Sequence, residues 1–280
     1  MRIALTGASG IVGGFVLSAA RRAGHDVTVL DRSGGYSLGD APDLGGHDAL
    51  IHCAFAHAPG RYRGGEGDNP DGFVTANLDG SIRLFDAAAR WGVRRVLFLS
   101  SRAVHDGQPE GVSLTDDLPA RPTTLYGQVK ARAEDHLHSL DLRTTSIRAT
   151  GIYGPGPRHK WLGLFGDYLA GRQVAPRAGT ELHGDDLTRA MLMLLNRDDP
   201  PGTVNASDMI VDRHDLLAAV RDATGCPHPL PPRADISAIR VLRCDALAAM
   251  GWTPGGWQRL RAEIPAMLAD VPADPQRPHR

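Results

Sequence analysis

The chain has 280 residues with 31 basic and 32 acidic side chains, a formal net charge of -1, and 42% hydrophobic against 22% charged residues. This balance is ordinary for a folded globular protein and gives no electrostatic reason to expect a nucleic acid or an acidic membrane as partner. No apolar run approaches the roughly 18 residues of a membrane span, and Cys53, Cys226 and Cys244, far apart and odd in number, read as free thiols of a reducing cytoplasm.

Residues 2–6 read as a short strand met at once by glycines, not as a signal peptide. The motif Thr6-Gly7-Ala8-Ser9-Gly10-Ile11-Val12-Gly13 then sets glycines at 7, 10 and 13, between that strand and a helical pattern over 13–23. A pyrophosphate needs backbone N–H donors at a helix N-terminus with no side chain in the way. Gly7 allows the sharp turn, Gly10 the approach of phosphates and Gly13 close packing of helix on sheet, while Ser9, Ile11 and Val12 complete the candidate loop. A second strand over 26–30 leads to Asp31, whose carboxylate suits an adenosine ribose and repels a 2′-phosphate. That points to NAD. Arg32 beside it suits a 2′-phosphate, so NADP stays open. Asp40 and Asp43 are candidates for adenine, neither assigned, because the stretch from them to Ala49 is too short for a usual crossover helix.

Further strands are expected over 49–54, 95–100 and 144–149, and helices over 73–91 and 126–140. Strands alternating with helices imply parallel pairing through right-handed crossovers. The strands are apolar throughout, as expected where helices cover both faces. After Ile152 the pattern loosens into helices over 162–170, 185–195, 213–224 and 244–250, joined by Pro-rich connections. The expected fold is α/β, a Rossmann doubly wound parallel sheet with a small helix-rich C-terminal substrate lobe. The expected division is a dinucleotide-binding domain over 1–155, a lobe over 156–270 with segments returning to the sheet, and a flexible tail over 271–280.

Tyr126-Gly127-Gln128-Val129-Lys130 is Y-x-x-x-K at the start of a helix. Residues four apart share a helix face, so a phenol and an ammonium point the same way. The cation stabilises phenolate and brings the tyrosine toward working pH. The chain strongly prefers arginine, with only Lys130 and Lys160 as lysines, so a retained lysine is informative. Ser100-Ser101 ends what is counted as the fifth strand, at the carboxyl edge where open α/β sheets bind ligands. A Ser101 hydroxyl can hydrogen-bond a substrate oxygen while Tyr126 exchanges its proton.

With these motifs the chain resembles the extended short-chain dehydrogenases/reductases, the NAD-dependent epimerase/dehydratase family, from Met1 to about Pro254. The resemblance makes Ser101, Tyr126 and Lys130 the catalytic set. It extends the cofactor contacts from the glycine loop, Asp31 and Arg32 to Cys53, Ala54 and Phe55 after the Ile51-His52 strand. It adds Asn77 in Asn77-Leu78-Asp79-Gly80, Ser100, Tyr126 and Lys130 themselves, and Ala149 and Gly151 in the segment 148–155. Glu134, His183-Gly184-Asp185-Asp186 and residues 247–254 also fit. Ser101, Arg102, His105, Thr150 and Arg177 are the expected substrate contacts; no metal site is expected.

Three departures narrow the substrate. His105-Asp106 replace an aromatic-glycine pair, and Arg102-Ala103 stand where sugar-nucleotide 4,6-dehydratases carry Asp-Glu, which disfavours dehydration. The segment 172–181, which holds base and diphosphate in nucleotide-sugar enzymes, is short. The resemblance therefore implies an NAD(P)-dependent oxidoreductase acting on a small carbohydrate or sugar acid, cytoplasmic and homodimeric through helices 73–91 and 126–140. The alternatives are a nucleotide-sugar epimerase, in which NAD is reduced only transiently, and a non-catalytic dinucleotide sensor.

Overall fold

A computed structural model of the chain describes residues 1–58 and 65–272. The expected flexible tail lies outside the described residues except for Val271 and Pro272. Two compact units emerge. The first contains Met1–Ala149, Leu187–Ala206 and Leu242–Trp252, and the second Thr150–Asp186, Ser207–Val241 and Thr253–Arg280. Among the described residues no helix is long and apolar enough to cross a membrane.

The first unit is built on six parallel strands in the order β2-β1-β3-β4-β5-β8. These are β1 Arg2–Thr6, β2 Asp26–Leu30, β3 Ala49–His52, β4 Arg95–Ser101, β5 Arg143–Ala149 and β8 Thr203–Ala206. The chain steps from β1 outward to β2, then back across β1 to β3. The order therefore reverses between β1 and β3, which makes that crevice the switch point where such sheets take ligands. The strand ending at Ser101 is thus the fourth in the chain and not the fifth. Residues 31–48 hold a 3₁₀ turn, Arg32–Gly34, an isolated bridge between Leu38 and Asp40, and no further strand of the sheet.

Helices α1 Ile11–Arg22, α2 Pro70–Val74, α3 Gly80–Arg90 and α4 Leu125–His138 accompany this sheet. Leu50, Val96 and Phe98 from the strands pack with Leu84, Phe85, Val129, Ala133 and Leu137 in one buried cluster. The expected helix over 73–91 is interrupted. Between α2 and α3, Thr75–Asp79 form a π-turn. Asn77 Nδ2 donates to the Phe73 carbonyl at 2.9 Å, and Ser81 Oγ donates to the Asn77 carbonyl at 2.5 Å. Both side chains thus take carbonyls that the regular ladder would use, and the ladder slips by one residue.

Late segments join the first unit through polar pins. Asn205 on β8 donates through Nδ2 to the carbonyls of Leu114 and Arg243, each at 3.0 Å. Asp116 accepts from the amides of Asn205 and Ala246, the latter at the start of α8 Asp245–Ala249.

The second unit has a three-stranded sheet of β6 Gly151–Tyr153, β7 Ala178–His183 and β9 Met209–Asp212, with β7 parallel to β6 and antiparallel to β9. Helices α5 Leu162–Leu169, α7 Arg213–Thr224 and α9 Gly256–Ala269 bury Phe165, Tyr168, Leu216, Leu217, Leu260 and Ile264 together. Helix α6 Gly184–Leu195 starts in this unit and continues into the first. Helix α9 carries Pro265 inside it, a residue that argues against a helix on sequence grounds.

Candidate active site

The glycine loop sits at the switch point of the sheet. Gly7 has φ +75°, and a Cβ there would lie 2.6 Å from the Ala54 amide nitrogen. A Cβ on Gly13 would lie 2.1 Å from the Gly7 carbonyl oxygen, so only glycine lets α1 approach β1 this closely. Gly10 caps α1 in extended conformation, with no side chain capping the first turn and no acidic residue in it. The helix end thus offers bare amides and a positive dipole to an anion, which fits a dinucleotide pyrophosphate. Asp31 follows β2. Its carboxylate accepts from Ser33 Oγ at 2.6 Å and the Gly34 amide at 3.0 Å, and these bonds, the hydroxyl first, hold it below the usual carboxylate range. A stable negative charge at this place opposes a 2′-phosphate. Arg32 beside it is exposed.

The second cluster is at the C-terminal end of β4. Ser101 lies across from Ala149 in the parallel register, and its Oγ accepts from the Ala103 amide at 3.2 Å, opening the 3₁₀ turn Arg102–His105. Thr124 caps α4 by accepting from the Gly127 amide at 3.2 Å. That cap puts Tyr126 in the first turn. A Cβ on Gly127 would lie 2.7 Å from the Ala103 carbonyl oxygen. The residue after the tyrosine must therefore be glycine for α4 to seat against the turn that follows Ser101.

One helical turn on, Lys130 is buried. Its Nζ donates to the Leu99 carbonyl at 2.7 Å and lies 4.5 Å from the centre of the Phe55 ring and 4.6 Å from that of Phe98. Burial pulls this ammonium down to about 7, against the opposing influence of Cys53 and Glu134. Phe55 also meets the Tyr126 ring edge-on, at 5.1 Å between centres and 85°. Burial pushes the Cys53 thiol up to about 12, with Lys130 opposing, so it stays a thiol at neutral pH.

Beneath these groups lies a buried ion pair. Arg148 donates to Glu134 through Nε at 3.1 Å and Nη2 at 2.7 Å. Its Nη1 donates to the Leu118 carbonyl at 2.8 Å and lies 3.4 Å from His105 Nε2. Ser100 Oγ donates to the same carboxylate. The pair bolts α4 to β5 one turn below Lys130.

The first unit therefore brings the glycine loop, Cys53, Ala54, Phe55, Asn77, Ser100, Ser101, Tyr126, Lys130 and Ala149 to the carboxyl side of one sheet. Ser100 and Asn77 spend their side chains internally. Ser100 is on Glu134, and Asn77 is clamped to Ala56 by bonds of 2.7 Å in both directions. His105 is buried and turned to Arg148. Thr150, Gly151 and Arg177 belong to the second unit. A Cβ on Gly151 would strike the Lys160–Glu181 ion pair at 2.6 Å. Arg177 is exposed, and its carbonyl accepts from the Arg213 amide at 2.9 Å. Phe98, the Leu99 carbonyl, His52 and the Leu118 carbonyl were not foreseen as part of the site. Among the described residues no group of His, Cys, Asp and Glu could hold a metal ion.

The model of the NAD dependent epimerase/dehydratase family matches residues 3–207. The chain belongs to this family, whose cofactor is NAD. A UDP-glucose 4-epimerase of Corynebacterium glutamicum is 28% identical over 55% of this chain, which spans 53% of that protein. One from Lacticaseibacillus casei is 26% identical over 91% of this chain and 92% of its own. A uronate dehydrogenase of Pseudomonas syringae is 27% identical over 72% of each. The fold is that of Thermus thermophilus UDP-glucose 4-epimerase solved with NAD. That comparison gives a TM-score of 0.76 at 23% identity, over 97% of this chain and 100% of the other.

Proposed function

We propose that this chain is an NAD-dependent oxidoreductase that moves hydride at a hydroxyl/carbonyl carbon of a small carbohydrate or sugar acid. The observation that carries the reading is the seating of α4. Gly127 against the Ala103 carbonyl and Lys130 on the Leu99 carbonyl fix Tyr126 beside the turn that begins at Ser101. Family membership and the likeness to a uronate dehydrogenase support the substrate class.

Ser101 Oγ orients the substrate oxygen by hydrogen bond. Tyr126, as phenolate, takes the hydroxyl proton in the oxidative direction and returns it in the reductive one. Lys130, next to it on the helix face, stabilises the phenolate and binds ribose hydroxyls. Bound NAD supplies the hydride acceptor at its nicotinamide. Bare amides at the start of α1 hold the pyrophosphate, and Asp31 takes the adenosine ribose. Arg102, Thr150 and Arg177 remain the proposed substrate contacts.

A second reading, an epimerase of a nucleotide-bound sugar, is favoured by the near full-length match to the Lacticaseibacillus enzyme. Absorbance of reduced nicotinamide, followed with NAD against free sugars, sugar acids and nucleotide sugars, separates the two. Stoichiometric reduced cofactor supports the dehydrogenase. Conversion of a nucleotide sugar with no net reduction supports the epimerase. Neither outcome, with no dinucleotide bound, refutes the proposal. The same reading includes a homodimer paired through α3 and α4, which light scattering on a size-exclusion column tests.

A further inference from the structure

His52, at the end of β3, is fully buried and stacked on Phe98, with ring centres 5.6 Å apart, and meets the Phe85 ring edge-on. Its two nitrogens are both engaged. Nδ1 lies 2.6 Å from Thr6 Oγ1 and Nε2 lies 2.9 Å from Ser81 Oγ. The proton positions follow from the neighbours. Ser81 spends its only hydrogen on the Asn77 carbonyl, which can only accept. His52 Nε2 must therefore donate to Ser81. Burial holds the ring neutral, so it carries a single N–H. Nδ1 then accepts, and Thr6, which itself accepts from the Ala54 amide at 3.2 Å, donates to it.

This makes a directed chain of hydrogen bonds: Ala54 to Thr6, Thr6 to His52, His52 to Ser81, and Ser81 to the Asn77 carbonyl. The Asn77 side chain continues it, donating to the Ala56 carbonyl and accepting from the Ala56 amide. The chain begins at the strand end that launches the glycine loop. It ends on either side of Phe55, since Ala54 and Ala56 are its two neighbours. Phe55 in turn touches both Tyr126 and Lys130. It lies on a segment that follows the end of β3 at His52, and these polar ties hold the backbone on either side of it.

We propose that His52 is a positioning residue: through Thr6 and through Ser81–Asn77 it clamps the backbone on both sides of Phe55, and Phe55 holds Tyr126 and Lys130 in register with the glycine loop. The inference rests on the catalytic reading above only for what that register serves; the clamp itself is independent of it.

The test needs no substrate. With only two lysines in the chain, ¹³Cε-lysine NMR of the full-length protein resolves Lys130 from Lys160. Ser81→Ala cuts the chain while leaving the His52 ring in place; His52→Phe removes both of its bonds and keeps an aromatic packer. Either change frees Phe55 and lets water reach the ammonium. The Lys130 titration midpoint should therefore move up by about half a unit or more. The double variant should move it no further than the larger single, because the links act as one unit. Val93→Ala, a buried truncation before β4, should leave it in place. An unmoved midpoint in Ser81→Ala, additive shifts in the double, or an equal shift in Val93→Ala would overturn the proposal. If His52→Phe does not fold, Ser81→Ala decides together with ¹⁵N-imidazole spectra of the wild type. Those should show neutral Nε2–H at His52 without titration from about pH 5 to 9, and an Nδ1–H form would equally overturn it. Failure of the catalytic reading shows elsewhere, in the absence of cofactor reduction or binding.

Discussion

Removing either partner of the Arg148–Glu134 pair should destabilise the fold, but only one of the two losses should depend on pH. Both side chains are nearly inaccessible, at 7% and 2% exposure, and breaking such a pair from one side costs about 3–5 kcal/mol. In Arg148→Met the carboxylate loses its ion-pair partner and keeps one hydroxyl donor, Ser100. It escapes by taking up a proton, which at pH 7 costs about 4 kcal/mol and at pH 5 only about 1 kcal/mol. The folded variant then holds one proton more than the unfolded chain. Its stability relative to wild type therefore rises as pH falls, by about 1.4 kcal/mol per unit. In Glu134→Gln the guanidinium has no such escape, because arginine cannot shed its proton. Its loss, of the same 3–5 kcal/mol order, should stay flat across the same range. Urea unfolding of the three proteins at pH 5, 6 and 7 measures both slopes. Parallel slopes for the two variants would refute the assignment of this pair as a buried, mutually compensating one.

Other expectations follow from the same geometry. Tyr126→Phe should lower turnover by about 100-fold to 10,000-fold, the range for a general acid/base, while calorimetry still finds NAD bound; normal turnover would remove Tyr126 from the chemistry. Gly13→Ala places a methyl 2.1 Å from the Gly7 carbonyl, so NAD binding should be lost in the same calorimetric titration. His52 is buried with its pKa drawn down to about 3 by burial first and by Lys130 second. The unfolded chain binds this proton below about 6.5 and the native state does not. Stability is therefore full above that pH and falls by up to about 1.4 kcal/mol per unit as pH drops toward 3. His52→Phe, where folded, should flatten this acid limb in urea titrations.

The parts of the fold that depend on local pattern were legible in the sequence, and the parts that depend on which carbonyl a side chain finds were not. The glycine triplet, the apolar strands and the Y-x-x-x-K spacing each express a short-range geometric need, and they led to the family. The π-turn at Thr75–Asp79 did not show, because it is caused by Asn77 and Ser81 reaching backbone acceptors, and polar residues in a helical stretch look the same whether or not they do so. Helix α9 is not among the helices expected from the sequence; it holds Pro265 inside it, and burial of Leu260, Ile264 and Met267 sustains it. The site divides along the same line. Glu134 and Arg148 are 14 residues apart, and no periodicity links them; β5 and α4 bring them together. His52 is a buried core histidine. What the sequence could not say is that its protons are directed. An imidazole between a threonine and a serine becomes an ordered link only once the serine has spent its hydrogen on the Asn77 carbonyl. The direction of the two bonds that His52 makes, to Ser81 and from Thr6, therefore follows from one residue on the helix side, Ser81.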